Sequence, residues 1–131
     1  HPLPPIDGVS GMIGKLAGRY RLGVVSTRTA AESDRHLRTL GVREHFGAIA
    51  GRDTTWRIKP HPQPVLYVAE RLGVDPHHCL MVGDTTVDVK AGLRAGAWTC
   101  AVLCGYGERG ELERAGAHLI LEHTALLGDL L

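Results

Sequence analysis

Short apolar runs alternate with amphipathic stretches along the whole chain. The apolar runs predict strands at about 22–26, 46–50, 79–82, 98–103 and 118–121. Apolar residues spaced three and four apart predict helices at about 9–18, 30–40, 62–72, 86–95 and 111–115, followed by a closing helix. This alternation predicts an α/β fold in which helices cover both faces of a mostly parallel sheet. The strand at 79–82 is continuously apolar, so we expect both of its faces to be buried, and we also expect the strand at 22–26 to be buried.

The size and charge of the chain narrow the possible functions. It has 131 residues, of which 44% are hydrophobic and 22% are charged, as expected for one globular domain over residues 1–131. Its net charge is +1, and the fifteen basic and fourteen acidic residues are mixed along the sequence. Because no basic stripe is present for a polyanion, we expect no nucleic-acid partner.

The sequence also indicates where the protein acts. No apolar run approaches the roughly 20 residues that a membrane-spanning helix needs, and the first residues lack the pattern of a signal peptide. Its three cysteines form no Cys-x-x-Cys pair, which is typical of a reducing compartment. We therefore expect a cytoplasmic protein with no membrane partner.

Polar clusters follow three of the predicted strands. They are Ser26-Thr27, the loop 57–62 that contains Lys59, and the segment 83–88 that contains Asp84 and Asp88. In an open parallel sheet, ligands bind beyond the carboxyl ends of the strands, so these clusters are the candidate site.

Each cluster has a chemical interpretation and a simpler structural one. Asp84 at a strand end and Asp88 one helical turn later suit Mg²⁺, whereas the simpler interpretation is that Asp84 caps the helix and Asp88 lies at its positive end. Lys59 is held extended before Pro60 and can neutralise a phosphate, or it is a solvated loop charge. Ser26 and Thr27 can bind a phosphate oxygen, or they simply form a turn.

Taken together, the three clusters resemble a known family. An apolar strand ending in Ser26, Lys-Pro-His-Pro at 59–62 and Gly-Asp-x-x-x-Asp at 83–88 resemble motifs II, III and IV of the haloacid dehalogenase (HAD) superfamily, phosphoglycolate-phosphatase-like subclass. The resemblance implies a Rossmann-like three-layer core and a phosphatase for a small phosphorylated metabolite. It also implies that Ser26 and Thr27 bind phosphate, Lys59 stabilises the phosphoryl group, Asp84 ligates Mg²⁺ and Asp88 supports the metal site. Thr27 departs from the asparagine of many such phosphatases.

The resemblance is incomplete at its first motif. The family attacks phosphate with an Asp-x-Asp at the end of a central strand, and no Asp-x-Asp occurs in this sequence. Asp7 is the only aspartate before Ser26, and Val9 stands where the second aspartate would be. We expect that the nucleophile strand and the cap domain are missing, so that the isolated chain is inactive. Its unpaired strand edges would favour self-association or pairing with a missing N-terminal segment.

Two other functions remain open from the sequence. A noncatalytic α/β module could retain the phosphate and Mg²⁺ site for binding alone. A receiver-like phosphoacceptor domain also uses aspartates and a lysine at strand ends, but its lysine follows the last strands, whereas Lys59 precedes Asp84.

Overall fold

The helices and strands alternate in the predicted order and lie close to the predicted positions. The computed structural model describes residues 9–103 and 107–131. The helices are α1 Val9–Ala17, α2 Ala30–Thr39, α3 Gln63–Leu72, α4 Thr86–Ala95, α5 Arg109–Ala115 and α6 Leu127–Leu130. The strands are β1 Leu22–Val25, β2 Phe46–Ala50, β3 Leu80–Gly83, β4 Trp98–Val102 and β5 Leu119–Leu121. The prediction of an α/β fold is confirmed.

The strands form two parallel sheets. One contains β1 and β2, and the other has the order β3-β4-β5. Every strand pairing between described residues is parallel, as the crossover helices require.

Helices cover both faces of these sheets and join them. On one face, Val65 of α3 and Ala91 and Ala95 of α4 form a buried cluster that also contacts Val25 of β1 and Met81 of β3. On the other face, a second cluster joins α1 and α6 to the sheets, and it contains Met12, Leu16, Leu127 and Cys100, with Leu22 packed against it. The result is a layered arrangement of helix, sheet and helix, typical of a Rossmann-like core.

The predictions that β1 is buried and that β3 is buried on both faces are wrong for the described part of the chain. Leu80 and Val82 of β3 are 37% and 36% exposed, and no residue of β1 is fully buried. By contrast, four of the five residues of β4 are buried. The physical reason is that β4 has a strand on each side, whereas β1 and β3 each have a strand on one side only.

Local sequence signals account for the helix ends. Thr29 accepts a hydrogen bond from the backbone N–H of Glu32 at 3.1 Å, and Glu32 accepts one from the backbone N–H of Thr29 at 3.2 Å, so α2 begins with a capping box. Gly73 and Gly96 end α3 and α4 with φ angles of 71° and 84°, a conformation that favours glycine. Within the described ranges, no helix is long and apolar enough to cross a membrane.

Candidate functional site

A buried ion pair connects two of the predicted clusters. The Lys59 ammonium donates a hydrogen bond to Oδ1 of Asp88, and the two side chains are only 11% and 8% exposed. Lys59 lies in the loop after β2, and Asp88 lies in the first turn of α4 after β3. The carboxyl ends of strands from both sheets therefore meet at one side of the molecule, where the sequence predicts the site.

The second oxygen of Asp88 is bound to the start of its own helix. Oδ2 accepts hydrogen bonds from the backbone N–H of Asp84 at 3.1 Å, the backbone N–H of Thr85 at 3.3 Å and the Thr85 hydroxyl at 3.0 Å. The Thr85 hydroxyl also accepts from the backbone N–H of Asp88 at 3.3 Å, which completes a capping box. Both oxygens of Asp88 are thus engaged by the protein itself.

The side chain of Asp88 packs against the backbone at the end of β3, and this contact requires glycine at position 83. A Cβ at Gly83 would lie 2.3 Å from the Cβ of Asp88 and 2.5 Å from its Oδ2. The Gly-Asp-x-x-x-Asp spacing therefore has a steric basis, because the side chain of Asp88 fills the space beside the Gly83 backbone.

The environment of Asp88 keeps its carboxyl group ionised. Burial alone raises the pKa of this carboxyl, but the hydrogen bond and charge of Lys59, together with hydrogen bonds from Thr85 and the Asp84 backbone, outweigh burial. The pKa of Asp88 is therefore lowered from its ordinary value of 3.8. A stable negative charge at this position fixes the Lys59 ammonium at the edge of the site.

Asp84 differs from Asp88 in having a carboxylate without a partner among the described residues. In the part of the chain that the structure describes, its oxygens make no hydrogen bond or ion pair, and its residue is only partly buried. Its backbone is held, since its carbonyl oxygen accepts from the N–H of Gly107 at 3.0 Å. A Cβ at Gly107 would lie 2.3 Å from that oxygen, so this approach also needs glycine. The Asp84 carboxylate is therefore positioned by its backbone and remains available for a ligand.

Ser26 and Thr27 follow β1, at the same end of the strands. The backbone N–H of Ser26 extends the ladder by donating to the carbonyl of Ala50 at 2.8 Å, and its hydroxyl accepts from the backbone N–H of Arg28 at 3.0 Å. Thr27 is exposed. Phosphate binding by these two residues stays a prediction.

The donor set fits Mg²⁺ in part. Mg²⁺ prefers oxygen ligands and commonly takes one or two carboxylates, with water and substrate phosphate completing its coordination. Asp84 meets this requirement, whereas Asp88 would first have to release Lys59 or a capping contact. Among the described residues, no group of three or more His, Cys, Asp or Glu side chains is close enough to hold a metal. Ligation by Asp84 and Asp88 stays a prediction, with Asp84 the better placed of the two.

The cap of α4 differs from the one that the sequence predicts. The N-cap of α4 is Thr85, so the alternative interpretation in which Asp84 caps this helix is wrong. The pattern Thr85-x-x-Asp88 is a capping-box signal and identifies this role. The role of Gly107 has no comparable signal, because it depends on a contact between distant loops. Asp7 lies outside the described residues.

Comparison with known proteins links this geometry to one family. The sequence model of the haloacid dehalogenase-like hydrolases matches residues 1–102. A phosphoglycolate phosphatase of Aquifex aeolicus is 42% identical over 87 residues, which are 66% of this chain and 41% of the relative. An N-acetylmuramic acid 6-phosphate phosphatase of Pseudomonas aeruginosa is 30% identical over 129 residues, which are 97% of this chain and 57% of the relative. The chain thus spans about half the length of these curated relatives.

A solved structure extends the likeness to three dimensions. A HAD family hydrolase of Deinococcus radiodurans, solved with bound phosphate and sodium, matches with a TM-score of 0.78 and 30% identity. The match covers 93% of this chain and 56% of that protein.

Proposed function

We propose that this chain, which belongs to the haloacid dehalogenase-like hydrolase family, is part of the catalytic core of a phosphatase that acts on a small phosphorylated metabolite. The observation that carries the proposal is the buried Lys59–Asp88 pair beside the unpartnered carboxylate of Asp84. The fixed ammonium of Lys59 suits a phosphate ester, and the available carboxylate of Asp84 suits a divalent cation. The phosphatase names of two relatives support the same reaction.

The proposed roles follow from the contacts of each residue. Ser26, aided by Thr27, binds oxygens of the transferring phosphoryl group at the end of β1. Lys59 stabilises the charge that develops on that group, while Asp88 holds the ammonium in place. Asp84 contributes the carboxylate for Mg²⁺, with Asp88 supporting that position through the Asp84 backbone. When bound, Mg²⁺ would neutralise charge on the phosphate oxygens. The Deinococcus relative was solved with bound phosphate and sodium, which supports an anion and a cation as ligands of this fold.

The nucleophile of the proposed reaction is not among these residues. We propose that an Asp-x-Asp from outside the 131 residues supplies it, since the printed sequence contains none. Its first carboxylate would attack phosphorus, forming the aspartyl-phosphate bond and breaking the ester bond, while its second carboxyl gives a proton to the leaving oxygen. Water would then cleave the aspartyl-phosphate, releasing inorganic phosphate and restoring the carboxylate. The isolated chain is accordingly inactive in this proposal.

We also propose a cytoplasmic setting without nucleic-acid or membrane partners. The free thiols of Cys79 and Cys100 support a reducing compartment. The mixed charges support the absence of a polyanion partner.

The experiment compares the isolated chain with a longer version that carries an upstream Asp-x-Asp strand. Hydrolysis of an aryl phosphate is measured with and without Mg²⁺. We expect no hydrolysis by the isolated chain, Mg²⁺-dependent hydrolysis by the longer version and loss of that activity in Asp84→Asn. Asp129→Asn is the matched control, because Asp129 is an exposed aspartate of α6.

Two results would contradict the proposal. Hydrolysis by the isolated chain that depends on Asp84 would show that the nucleophile lies within the 131 residues. Binding of phosphate and Mg²⁺ by the longer version without turnover would favour the noncatalytic binding module.

A further inference from the structure

The loop between β2 and α3 is attached to the candidate site at two points. Near its start, the backbone N–H of Arg52 donates to the carbonyl oxygen of Arg28, in the loop after β1, at 2.8 Å. Near its end, Lys59 forms the buried ion pair with Asp88 at the start of α4. The residues between these two attachments therefore lie at the rim of the site.

The tip of this loop, residues 54–58, exposes two large apolar side chains. Trp56 is 97% exposed, and Ile58 is 54% exposed. Among the described residues, the Trp56 indole takes part in no hydrogen bond or ring contact. A tryptophan buries about 150–250 Å² when it is covered, so nearly all of that area is available to a ligand here.

The backbone around the exposed tryptophan is held by hydrogen bonds. The Thr55 hydroxyl donates to the carbonyl oxygen of Arg57 at 2.7 Å, and the backbone N–H of Arg57 donates to Oε1 of Gln63 at 2.6 Å. The backbone N–H of His61 donates to the carbonyl oxygen of Ile58 at 2.9 Å. A loop that is ordered before its ligand arrives loses less conformational entropy on binding, so Trp56 is suited to recognition.

The charges beside Trp56 favour an anionic ligand. The Arg57 guanidinium is exposed, and within the described ranges it forms no hydrogen bond or ion pair. The only acidic residue in the sequence 51–62 is Asp53, whose Oδ1 accepts from the backbone N–H of Ala30 at 2.9 Å. The cation next to Trp56 thus attracts an anion to the rim of the site.

We propose that Trp56 recognises the leaving group of the substrate by stacking on a ring that presents an apolar face. This inference rests on the proposed function, in which Ser26 and Lys59 bind the phosphoryl group of the same substrate. Consecutive Cα atoms are about 3.8 Å apart, so the Cα atoms of Trp56 and Lys59 are separated by at most about 11 Å. The substrate class is accordingly a phosphate monoester whose leaving group contains a sugar ring or an aromatic ring. Trp56 contacts the part of the substrate that does not react.

Fluorescence locates the contact, because Trp56 and Trp98 are the two tryptophans of the chain. Trp98 is 59% exposed at the start of β4, at the opposite end of that strand from the site. Trp98→Phe leaves Trp56 as the reporter, and Trp56→Phe leaves Trp98. With Mg²⁺ present, we expect glucose 6-phosphate to change the emission of Trp56 and not that of Trp98.

Calorimetry measures the contribution of the ring. The ligands are glucose 6-phosphate, phenyl phosphate, glycerol 3-phosphate and inorganic phosphate, each with Mg²⁺. Trp56→Ala should weaken binding of a ring ligand about tenfold and binding of the two ligands without a ring by less than about twofold, because stacking has an energy of this size. A loss with one ring ligand alone also supports the inference and identifies the kind of ring. Trp98→Ala is the matched control and should leave all four affinities unchanged.

Two results would overturn the inference. The first is an equal loss with all four ligands, which would assign Trp56 to the phosphate site. The second is no loss with either ring ligand, which would assign the exposed indole to a segment outside the 131 residues. Inorganic phosphate separates this inference from the proposed function. Phosphate binding without any effect of Trp56→Ala on the ring ligands refutes recognition by Trp56 alone, whereas binding of none of the four ligands refutes both.

Discussion

Replacing Asp88 with asparagine tests whether the candidate site also holds the two sheets together. The substitution keeps the size of the side chain and removes its charge. Asp88 has one oxygen on Lys59 and the other on three donors at the start of α4. Asparagine has a single side-chain oxygen. Either Lys59 or the helix start must therefore lose its acceptor in Asp88→Asn.

The expected loss of stability follows from the burial of the pair. Breaking a buried ion pair by removing one partner costs about 3–5 kcal/mol, because the remaining charge is left uncompensated. Lys59 and Asp88 are 11% and 8% exposed, which places them in this class. The amide oxygen of asparagine can still accept from Lys59, so we expect the lower end of the range, about 3 kcal/mol.

Urea unfolding of the 131-residue chain, followed by circular dichroism, measures this loss. The control is Glu113→Gln, because Glu113 and Arg109 form a pair at 4.0 Å whose side chains are 59% and 50% exposed. Exposed pairs of this kind contribute about 0.5 kcal/mol or less. The reasoning would be refuted if Asp88→Asn lost no more stability than Glu113→Gln.

A second measurement separates the ion pair from the helix cap. In a double-mutant cycle with Lys59→Met, the loss of stability in the double mutant should differ from the sum of the two single-mutant losses by about 1–3 kcal/mol, because each substitution removes the same interaction. Strict additivity would assign the loss to the capping contacts of Asp88 alone.

Three further predictions concern pH, a hydroxyl and a glycine. The pKa of Asp88 is lowered from 3.8 in the folded state, so the advantage of wild type over Asp88→Asn should be complete above pH 3.8 and disappear as the pH falls through the folded-state pKa, as measured by urea unfolding at each pH. Ser33→Ala should raise the free energy of unfolding of the isolated chain by about 1 kcal/mol relative to Ser10→Ala, an exposed helical serine, because it removes a buried hydroxyl that has no hydrogen-bond partner among the described residues. Equal effects in thermal unfolding would contradict this. Gly83→Ala should destabilise by about 2 kcal/mol or more through its clash with Asp88, whereas Gly11→Ala, with open space around it, should be neutral or stabilising in the same assay.

The order and bounds of the helices and strands were predictable because local interactions determine them. The helix starting at Ala30 has its capping box in Thr29 and Glu32, and glycines at 73 and 96 end two helices with positive φ angles. The burial of β3 was not predictable from its own residues. An apolar run indicates that a strand favours burial, whereas the exposure of its side chains depends on which strands lie beside it. For Leu80 and Val82 the described chain provides such a neighbour on one side only.

The contacts of the site residues were likewise predictable where they are local in sequence and not where they join distant residues. The sequence placed Lys59, Asp84 and Asp88 at the carboxyl ends of strands, and the structure confirms that position. The sequence assigned both carboxylates to the metal site, with Asp88 in a supporting role. The structure distinguishes their contacts, because Asp88 is bound through both oxygens, whereas the Asp84 carboxylate has no partner among the described residues. The capping contacts of Asp88 are indicated by the local pattern Thr85-x-x-Asp88. The ion pair of Asp88 depends on Lys59, which is 29 residues away in the chain, so no local pattern indicates it.

The two carboxylates have unequal roles, because one holds the site together and the other is available to a ligand. Asp88 and Lys59 link a loop after β2 to the helix after β3, so their ion pair spans the two sheets at the carboxyl ends of their strands. In the proposed function, Asp84 therefore contributes the carboxylate for Mg²⁺, while the ion pair of Asp88 and Lys59 holds the loop after β2 against the helix after β3.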